Sequence, residues 1–504
     1  MRTSSEPHER FDRRGLLERA GRLAVTAGAL PLAFRRSEAP DLAALQRRIT
    51  GTVVARGEPG YGAARLLYSP RFDDSRPLAV VYCESAADVS RTILWARQSN
   101  VRIAARSGGH SYAGYSTTPG VVVDVSRLDS ITVNGAAGTA GVGAGARLMD
   151  VYRELAARGV TIPAGSCPSV GIAGLALGGG IGFAGRKLGL TSDNIRSLTM
   201  VTADGVVRQC NPQRNPDLFW ACRGGGGGNF GIATRFTFTT HPVSTVATFR
   251  AVWSWSDAAR VVDAWQRWAP GAPDDLFSIL SVEATDSGGT RIGSSGQFFG
   301  TVAQLQTLLA PFFAAGATPE SLDVRTQTYL GAMLFWAGCS DAMHCSLGDG
   351  VGRSTFAAKS EYVATPLSSA GIDTLLRAVE ARAAAPARAS VLLDAYGGAI
   401  NRIPKAATAF VHRDQLFSVQ YVAGWNFAGG DPPAGAAISW LRNTHAAMRP
   451  HVSGQAYQNY IDAELPRWGL AYYGSNYQRL RRVKRRYDPK NVFRFAQSIV
   501  PAPG

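Results

Sequence analysis

Glycine placement constrains this chain more than any other feature. There are 56 glycines in 504 residues, about one in nine, against a usual share of roughly 7%. They are not spread as a flexible linker would spread them. They gather at 108–120, 135–145, 165–189 and 224–231. A residue without a side chain lets backbone approach a bound molecule closely and accepts turns closed to other residues. Such clusters imply ordered loops wrapped around a ligand, not a disordered tract. At this length a single simple core is too small, so two domains are expected.

Between the glycine clusters the pattern is α/β. An apolar run at 78–82 leads into a helix over 86–99, which begins after Ser85, and a second apolar run follows at 102–105. Residues 121–125 have the β-branched density of a buried strand. A short helix is expected near 42–49, a small-residue strand at 136–145 and an amphipathic helix at 148–158. Residues 197–209 read as a hairpin turned by Asp204-Gly205. Around residue 240 the texture changes. Glycine thins, Trp253, Trp255, Trp265 and Trp268 appear, and helices are expected at 257–269, 301–315 and 367–384 between strand-like runs. This is the alternation of a separate α+β domain. From about Ser453 the tail regains Tyr, Asn, Arg and Gly, so it is read as completing the first domain. The expected organisation is 1–36, 41–245, 246–452 and 453–500.

The formal net charge is +16, but residues 1–36 hold eight arginines against Glu6, Glu9, Asp12 and Glu18, or +4 of that total. Arg13-Arg14 before a short apolar run resembles a twin-arginine export signal. It predicts secretion of the folded protein; an uncleaved basic arm on a cytoplasmic protein is the plain alternative. The apolar run is too short to span a bilayer, so no stable membrane association is expected. A second basic run, Arg479 to Arg486, reads as the solvated face of a helix, because Leu480, Val483 and Tyr487 recur at helical spacing. No aromatic platform accompanies it, which argues against nucleic acid as a partner. The six cysteines form no CxxC pair, so no metal site is expected. Cys339 and Cys345 are compatible with a disulfide after export or with two unrelated thiols.

Three glycine-rich sites carry the chemistry. Arg106-Ser107-Gly108-Gly109-His110-Ser111 follows a strand and offers amides to an anion, with a histidine whose neutral ring is a nucleophile. On spacing alone, a lone histidine after Gly-Gly is more often a turn residue than a ligand. Residues 165–182 form the second site, where Gly180-x-Gly182-x-x-Gly185 matches a dinucleotide fingerprint formally. No convincing strand precedes it, so a nicotinamide-type site is rejected. The third site is Arg223 followed by Gly224–Gly228 and Asn229-Phe230-Gly231-Ile232.

RSGGHSYAGYS, GSCPSVGIAGLALGGGIG, RGGGGGNFGI and the tail YYGSNYQRLRRVKRRYDPKNVFRFAQSI resemble, in this order, the berberine-bridge-enzyme-like FAD-linked oxidases of the vanillyl-alcohol-oxidase superfamily. The resemblance implies an α+β fold: a two-part PCMH-type FAD-binding domain, closed by the C-terminal return, with an inserted substrate domain on an antiparallel sheet. It implies FAD bonded covalently to His110 and, as in bicovalent members, to Cys167. It further implies FAD contacts from Arg106, Ser107, Gly108, Gly109, Ser111, Gly171, Gly174, Gly179, Asn194, Ile232, Tyr473 and Asn476. Val170 stands where valine accompanies oxidases, so dioxygen is the expected acceptor.

Hydride loss from a C–OH carbon requires that the hydroxyl proton leave too, so a base is needed. Residues 456–462 resemble the family's YxNYxD segment, which makes Tyr457 and Tyr460 candidates. On a strand they would fall on opposite faces, and either would need nearby positive charge or hydrogen bonds to lower a pKa of about 10. Tyr396 and Gln420 are supporting candidates, and Glu361 a weaker one. The expected activity is oxidation of a sugar or secondary-metabolite alcohol with release of hydrogen peroxide, the tryptophans offering rings for stacking. A flavin dehydrogenase with another acceptor and a ligand-sequestering flavoprotein are the alternatives.

Overall fold

The computed structural model describes residues 40–243, 245–384, 388–425 and 434–504. The twin-arginine segment at 1–36 lies outside the described residues. Residues Asp41–Gly504 form one unit built on two hydrophobic cores.

The first core begins with a four-stranded sheet. Val121–Asp124, buried throughout, lies parallel between Ala79–Tyr82 and Ile103–Arg106, and Thr52–Ala55 adds antiparallel to the outer side of Ala79–Tyr82. The crossover helix Ala86–Gln98 starts where Ser85 accepts a hydrogen bond from the Asp88 amide, the ordinary capping of an orphan N–H. A five-stranded antiparallel sheet follows, in the order Ile131–Asn134, Thr139–Gly143, Ile232–Thr239, Ile195–Val201, Val207–Cys210. Its last pair is the expected hairpin. Gly205 supplies the positive φ (+78°) of the turn and lies against Leu94, where a Cβ would come within 2.7 Å. Residues Ile172–Gly178 are helical, which removes the strand that a nicotinamide fingerprint at 180–185 would need.

The second core lies on one face of a seven-stranded antiparallel sheet. Its order is Ser321–Thr328, Thr245–Trp253, Thr290–Phe298, Leu276–Ala284, Ala389–Ala395, Phe417–Gly424, Phe356–Val363. Strand side chains alternate between faces, and that alternation decides what each face does. Leu280, Val282, Val391, Leu393, Val419 and Tyr421 join the second core under helices Ala258–Trp268, Ser369–Ala383 and Ala434–Met448. Their neighbours Ser390, Leu392, Asp394, Ser418 and Gln420 therefore look the other way, toward the first core.

The tryptophans are a correction to the sequence reading. Trp253, Trp265 and Trp268 belong to or pack on the second core and donate to the Ala317 carbonyl, Ser278 Oγ and the Leu308 carbonyl. They support the sheet from the helix side and offer no ring to a substrate. Buried Arg186 ties the two cores together, its guanidinium donating to the carbonyls of Leu276, Pro270, Tyr396 and Ala272.

The basic run of the tail forms the helix Tyr477–Tyr487 with Leu480, Val483 and Tyr487 buried as expected. Lys484 departs from the solvated-face reading. It is fully buried, and its Nζ donates to the carbonyls of Asn229 (2.6 Å) and Phe493 (2.6 Å) and to Asp488 Oδ2 (2.7 Å). This one ammonium clamps the tail onto the third glycine loop. Lys484→Met should destabilise the protein by about 3–5 kcal/mol, because it leaves the Asp488 carboxylate buried without its cation. A denaturant-midpoint change equivalent to less than 1 kcal/mol would show that the clamp contributes little.

Candidate functional site

Between the cores lies a cavity of about 1080 Å³, at the upper end of the ~300–1,000 Å³ usual for small-molecule sites. Its walls come from residues 102–119, the segment 167–177, the glycine loop 227–233, the tail at 491–500 and the free face of the large sheet. Among the described residues no group of three or more His, Cys, Asp or Glu is placed to hold a metal, and no helix is long and apolar enough to cross a membrane.

Two glycines explain how the first wall is made. A Cβ on Gly108 would lie 2.2 Å from the Gly171 amide nitrogen, and one on Gly171 would lie 2.3 Å from that of Gly108. The close neighbour at these positions is the other loop. Their contact brings His110 and Cys167 to one wall. Gly174 has open space around it and faces the cavity, as close approach to a bound molecule requires.

His110 stacks on Tyr68 with ring centroids 3.9 Å apart, and its Nε2 lies 3.1 Å from Ser169 Oγ. Burial, and then the Arg147 guanidinium, push its pKa down to about 3. The imidazole is therefore neutral, as a nucleophile must be. Cys167 Sγ lies 3.9 Å from the same Ser169 Oγ. Burial raises the thiol, while hydrogen bonds from Ser169 and Val170 pull it back down. The free thiols of Cys83, Cys210 and Cys222 are buried away from the cavity. Cys339 and Cys345 form a disulfide, with Cα atoms 5.7 Å apart.

The walls carry buried polar atoms without partners among the described residues: Arg106 Nη1, the Tyr115 hydroxyl, Thr117 Oγ1, Gln458 Oε1 and Asn491 Oδ1. Folded proteins satisfy the great majority of such atoms. Donors and acceptors in the walls of a cavity this large, with glycine backbone at its side, fit a dinucleotide such as FAD. Arg106 itself is held by Asp124 and by the Ala64 carbonyl, which leaves Nη1 for the ligand. Ser107, Gly109, Ser111, Val170 and Ile232 also line the cavity.

Four expected cofactor contacts lie elsewhere. Asn194 donates to the carbonyls of Leu188 and Leu190 and bonds His241 Nε2. Gly179 packs on Phe410 and the Tyr457 hydroxyl. Tyr473 donates to the Gly225 carbonyl, and Asn476 donates to the carbonyls of Lys405, Thr408 and Ala409. Asn194, Tyr473 and Asn476 thus satisfy backbone around the glycine loops and the incoming tail, so their polar groups are spent on the fold.

The other end of the cavity sorts the expected proton acceptors. Residues 457–460 are not a strand; Gln458–Tyr460 make a single 3-10 turn with Tyr457 at its start. Tyr460 faces the cavity and stacks parallel to Tyr112 at 5.6 Å. The Tyr112 hydroxyl accepts from Gln420 Nε2 at 3.0 Å. Tyr457 points into the protein, where its hydroxyl accepts from the Gly180 amide (2.7 Å) and Asn459 Nδ2 (3.0 Å). Even with those donors, burial leaves its pKa at about 12. Tyr396 is fully buried behind the wall, hydrogen-bonded to the Tyr362 hydroxyl at 3.0 Å. Glu361 is on the helix side, paired with His445 and Arg449.

Sequence reasoning missed Asp394. It sits on the cavity-facing side of its strand, one step beyond Leu392, and accepts from Ser418 Oγ at 3.2 Å. Burial raises its pKa to about 6. Its charge, after burial, drives the Tyr460 hydroxyl well above its ordinary pKa. Among the described residues no cation lowers either candidate tyrosine; Tyr457 has the hydrogen bonds that were the other expected means, from Gly180 and Asn459. Ser169, Arg147, Tyr68 and Tyr112 were missed too; the last two follow from neighbours remote in sequence.

The FAD-binding domain family matches residues 77–211, and the berberine and berberine-like family matches residues 456–500. YgaK, an FAD-linked oxidoreductase of Bacillus subtilis, is 37% identical over 90% of this chain and 98% of its own. The structure of Physcomitrella patens BBE-like 1 superposes with a TM-score of 0.84 at 36% identity, over 92% of this chain and all (100%) of that one. A chitooligosaccharide oxidase superposes with a TM-score of 0.83 at 27% identity, over 92% and 99% of the two chains. With two glycine loops set back to back, a large cavity walled by them and a tail that closes it, this chain belongs to the berberine-bridge-enzyme-like family of FAD-linked oxidoreductases.

Proposed function

We propose that the protein oxidises a C–OH group of a saccharide or secondary-metabolite alcohol, holds FAD through His110 and Cys167, and passes the electrons to dioxygen. The observation that carries this reading is the shared wall on which a neutral imidazole and a thiol both meet the Ser169 hydroxyl. Bound FAD supplies the hydride acceptor. The chain's own residues bind the substrate and move its proton.

Tyr460, which lines the cavity, is the proposed partner of the substrate hydroxyl. Its high pKa rules out a standing phenolate, so it meets the substrate hydroxyl as a neutral phenol, and Asp394, whose charge acts on it most strongly, is the final proton acceptor in this reading. With a pKa of about 6, Asp394 is ionised at neutral pH and near the value suited to a general base. Gln420 holds Tyr112 beside Tyr460. Ser354, Ser390, Glu283 and Arg388 mix with Phe356 and Leu392 at this end of the cavity, a surface that suits a polyhydroxylated ring. The similarity to a chitooligosaccharide oxidase supports the same class. Val170 beside Cys167 supports oxygen as the acceptor.

Export through the twin-arginine route is part of the proposal, and the Cys339–Cys345 disulfide supports it, since such bonds persist in oxidising compartments.

Anaerobic mixing with a panel of oligosaccharides, secondary alcohols and glycosylated aromatics tests the reading. One class should bleach the visible flavin absorbance, and air should restore it with one hydrogen peroxide per turnover. Bleaching that air does not reverse would make the protein a dehydrogenase. A flavin that no compound bleaches would favour a sequestering role.

A further inference from the structure

Ser169 is buried, with 3% of its surface exposed, and does not line the cavity. Its hydroxyl nevertheless lies 3.1 Å from His110 Nε2 and 3.9 Å from Cys167 Sγ. Its carbonyl accepts from Arg147 Nη1 at 3.0 Å, which fixes the residue in place. We propose that Ser169 is a positioning residue for flavin attachment, coupling the tautomer of His110 to the protonation of Cys167. The inference rests on the covalent reading above.

A serine hydroxyl has one proton to give and lone pairs to receive. When it donates to sulfur, it can only accept from the imidazole, so His110 carries its proton on Nε2 and leaves Nδ1 with a free lone pair. When it donates to Nε2 instead, the thiol must keep its proton and Nδ1 is protonated. The first arrangement readies both nucleophiles at once; the second readies neither. Burial raises the thiol, and backbone donors from Ser169 and Val170 partly offset it by favouring charge on sulfur. Arg147 disfavours a second charge on the ring. The backbone donors favour the first arrangement, and Arg147 keeps the ring neutral in either.

Each attachment replaces one N–H or S–H and one flavin C–H by the new bond. The two electrons and two protons released pass to dioxygen, giving hydrogen peroxide.

The test uses full-length chain produced under flavin limitation and then mixed with FAD in air. Attachment is followed by the flavin retained on acid precipitation and by peptide mass at His110 and Cys167. Ser169→Ala should bind FAD, as judged by quenching of its fluorescence, yet attach it roughly tenfold more slowly at both residues, the scale of one lost hydrogen bond. Ser169→Thr, which keeps the hydroxyl, should restore the rate. An independent arm leaves Ser169 intact: Cys167→Ala should slow attachment at His110, because the hydroxyl loses the partner that sets its direction. Wild-type rates at both residues in Ser169→Ala overturn the proposal. If that variant does not fold, an unchanged His110 rate in Cys167→Ala does so. A wild-type chain that never attaches flavin would instead remove the covalent reading on which the inference stands.

Discussion

Tyr460→Phe is expected to lower kcat for the preferred substrate by roughly 10²–10⁴-fold, with flavin content and melting temperature unchanged. The hydroxyl removed is the one that faces the cavity, and the ring that remains keeps its stack on Tyr112. Tyr457→Phe should behave in the opposite sense. Its hydroxyl serves the Gly180 amide and Asn459, so its loss leaves a buried N–H unpaired and should cost about 1–3 kcal/mol of stability.

Asp394 gives the same account a pH signature. Its pKa is raised from 3.8 to about 6, so it must lose a proton before it can accept one. Activity should rise as pH climbs through about 6, and that ascending limb should vanish in Asp394→Asn. Stability runs the other way. Below about pH 4 the group is neutral in folded and unfolded chains alike, and its contribution is fully favourable. As pH rises through about 6 the folded protein must bury the charge, and the contribution is lost. Two pKa units correspond to roughly 3 kcal/mol. At pH 8 Asp394→Asn should therefore be the more stable protein and the poorer enzyme, a combination that a merely structural aspartate would not produce. An unaltered pH–rate profile in the variant would remove Asp394 from the proton path.

The second large effect concerns the attachment points. Wild-type protein precipitated in acid should stay yellow, whereas His110→Ala, Cys167→Ala together should release all of its flavin to the supernatant. Each single variant should retain flavin through the remaining bond. Because His110 is held neutral to about pH 3, its attachment should not vary between pH 5 and 8 on account of its own titration. If the single Cys167→Ala variant released its flavin entirely, His110 would be a turn residue and no tether.

Local pattern was enough for much of the architecture. The 121–125 run, the Asp204-Gly205 hairpin and the helices after Ser85 and around 258–268 carry their signals within a few residues, in β-branching, turn chemistry and capping. The wall that joins His110 and Cys167 was legible because both lie in long motifs of fixed order. What escaped has a common physical cause. The pKa of Asp394 is set by burial beneath segments far from Ala389–Ala395, and nothing in that strand marks it. Ser169 was in plain view inside GSCPSVG, but its partner His110 is 59 residues away. Conversely, Tyr473 and Asn476 sit in the tail motif, and Asn194 lies beyond the second glycine-rich site, yet all three spend polar atoms on backbone. The tryptophans misled for a simpler reason: the sequence shows their density but not which face of the sheet they occupy.

Covalent attachment of FAD can be read from the intact mass of the purified, denatured chain. A chain heavier than its polypeptide by one FAD less the hydrogens lost on bonding, with the added mass mapped to the peptides holding His110 and Cys167, is the predicted result. A bare polypeptide mass from protein that was yellow before denaturation would contradict it.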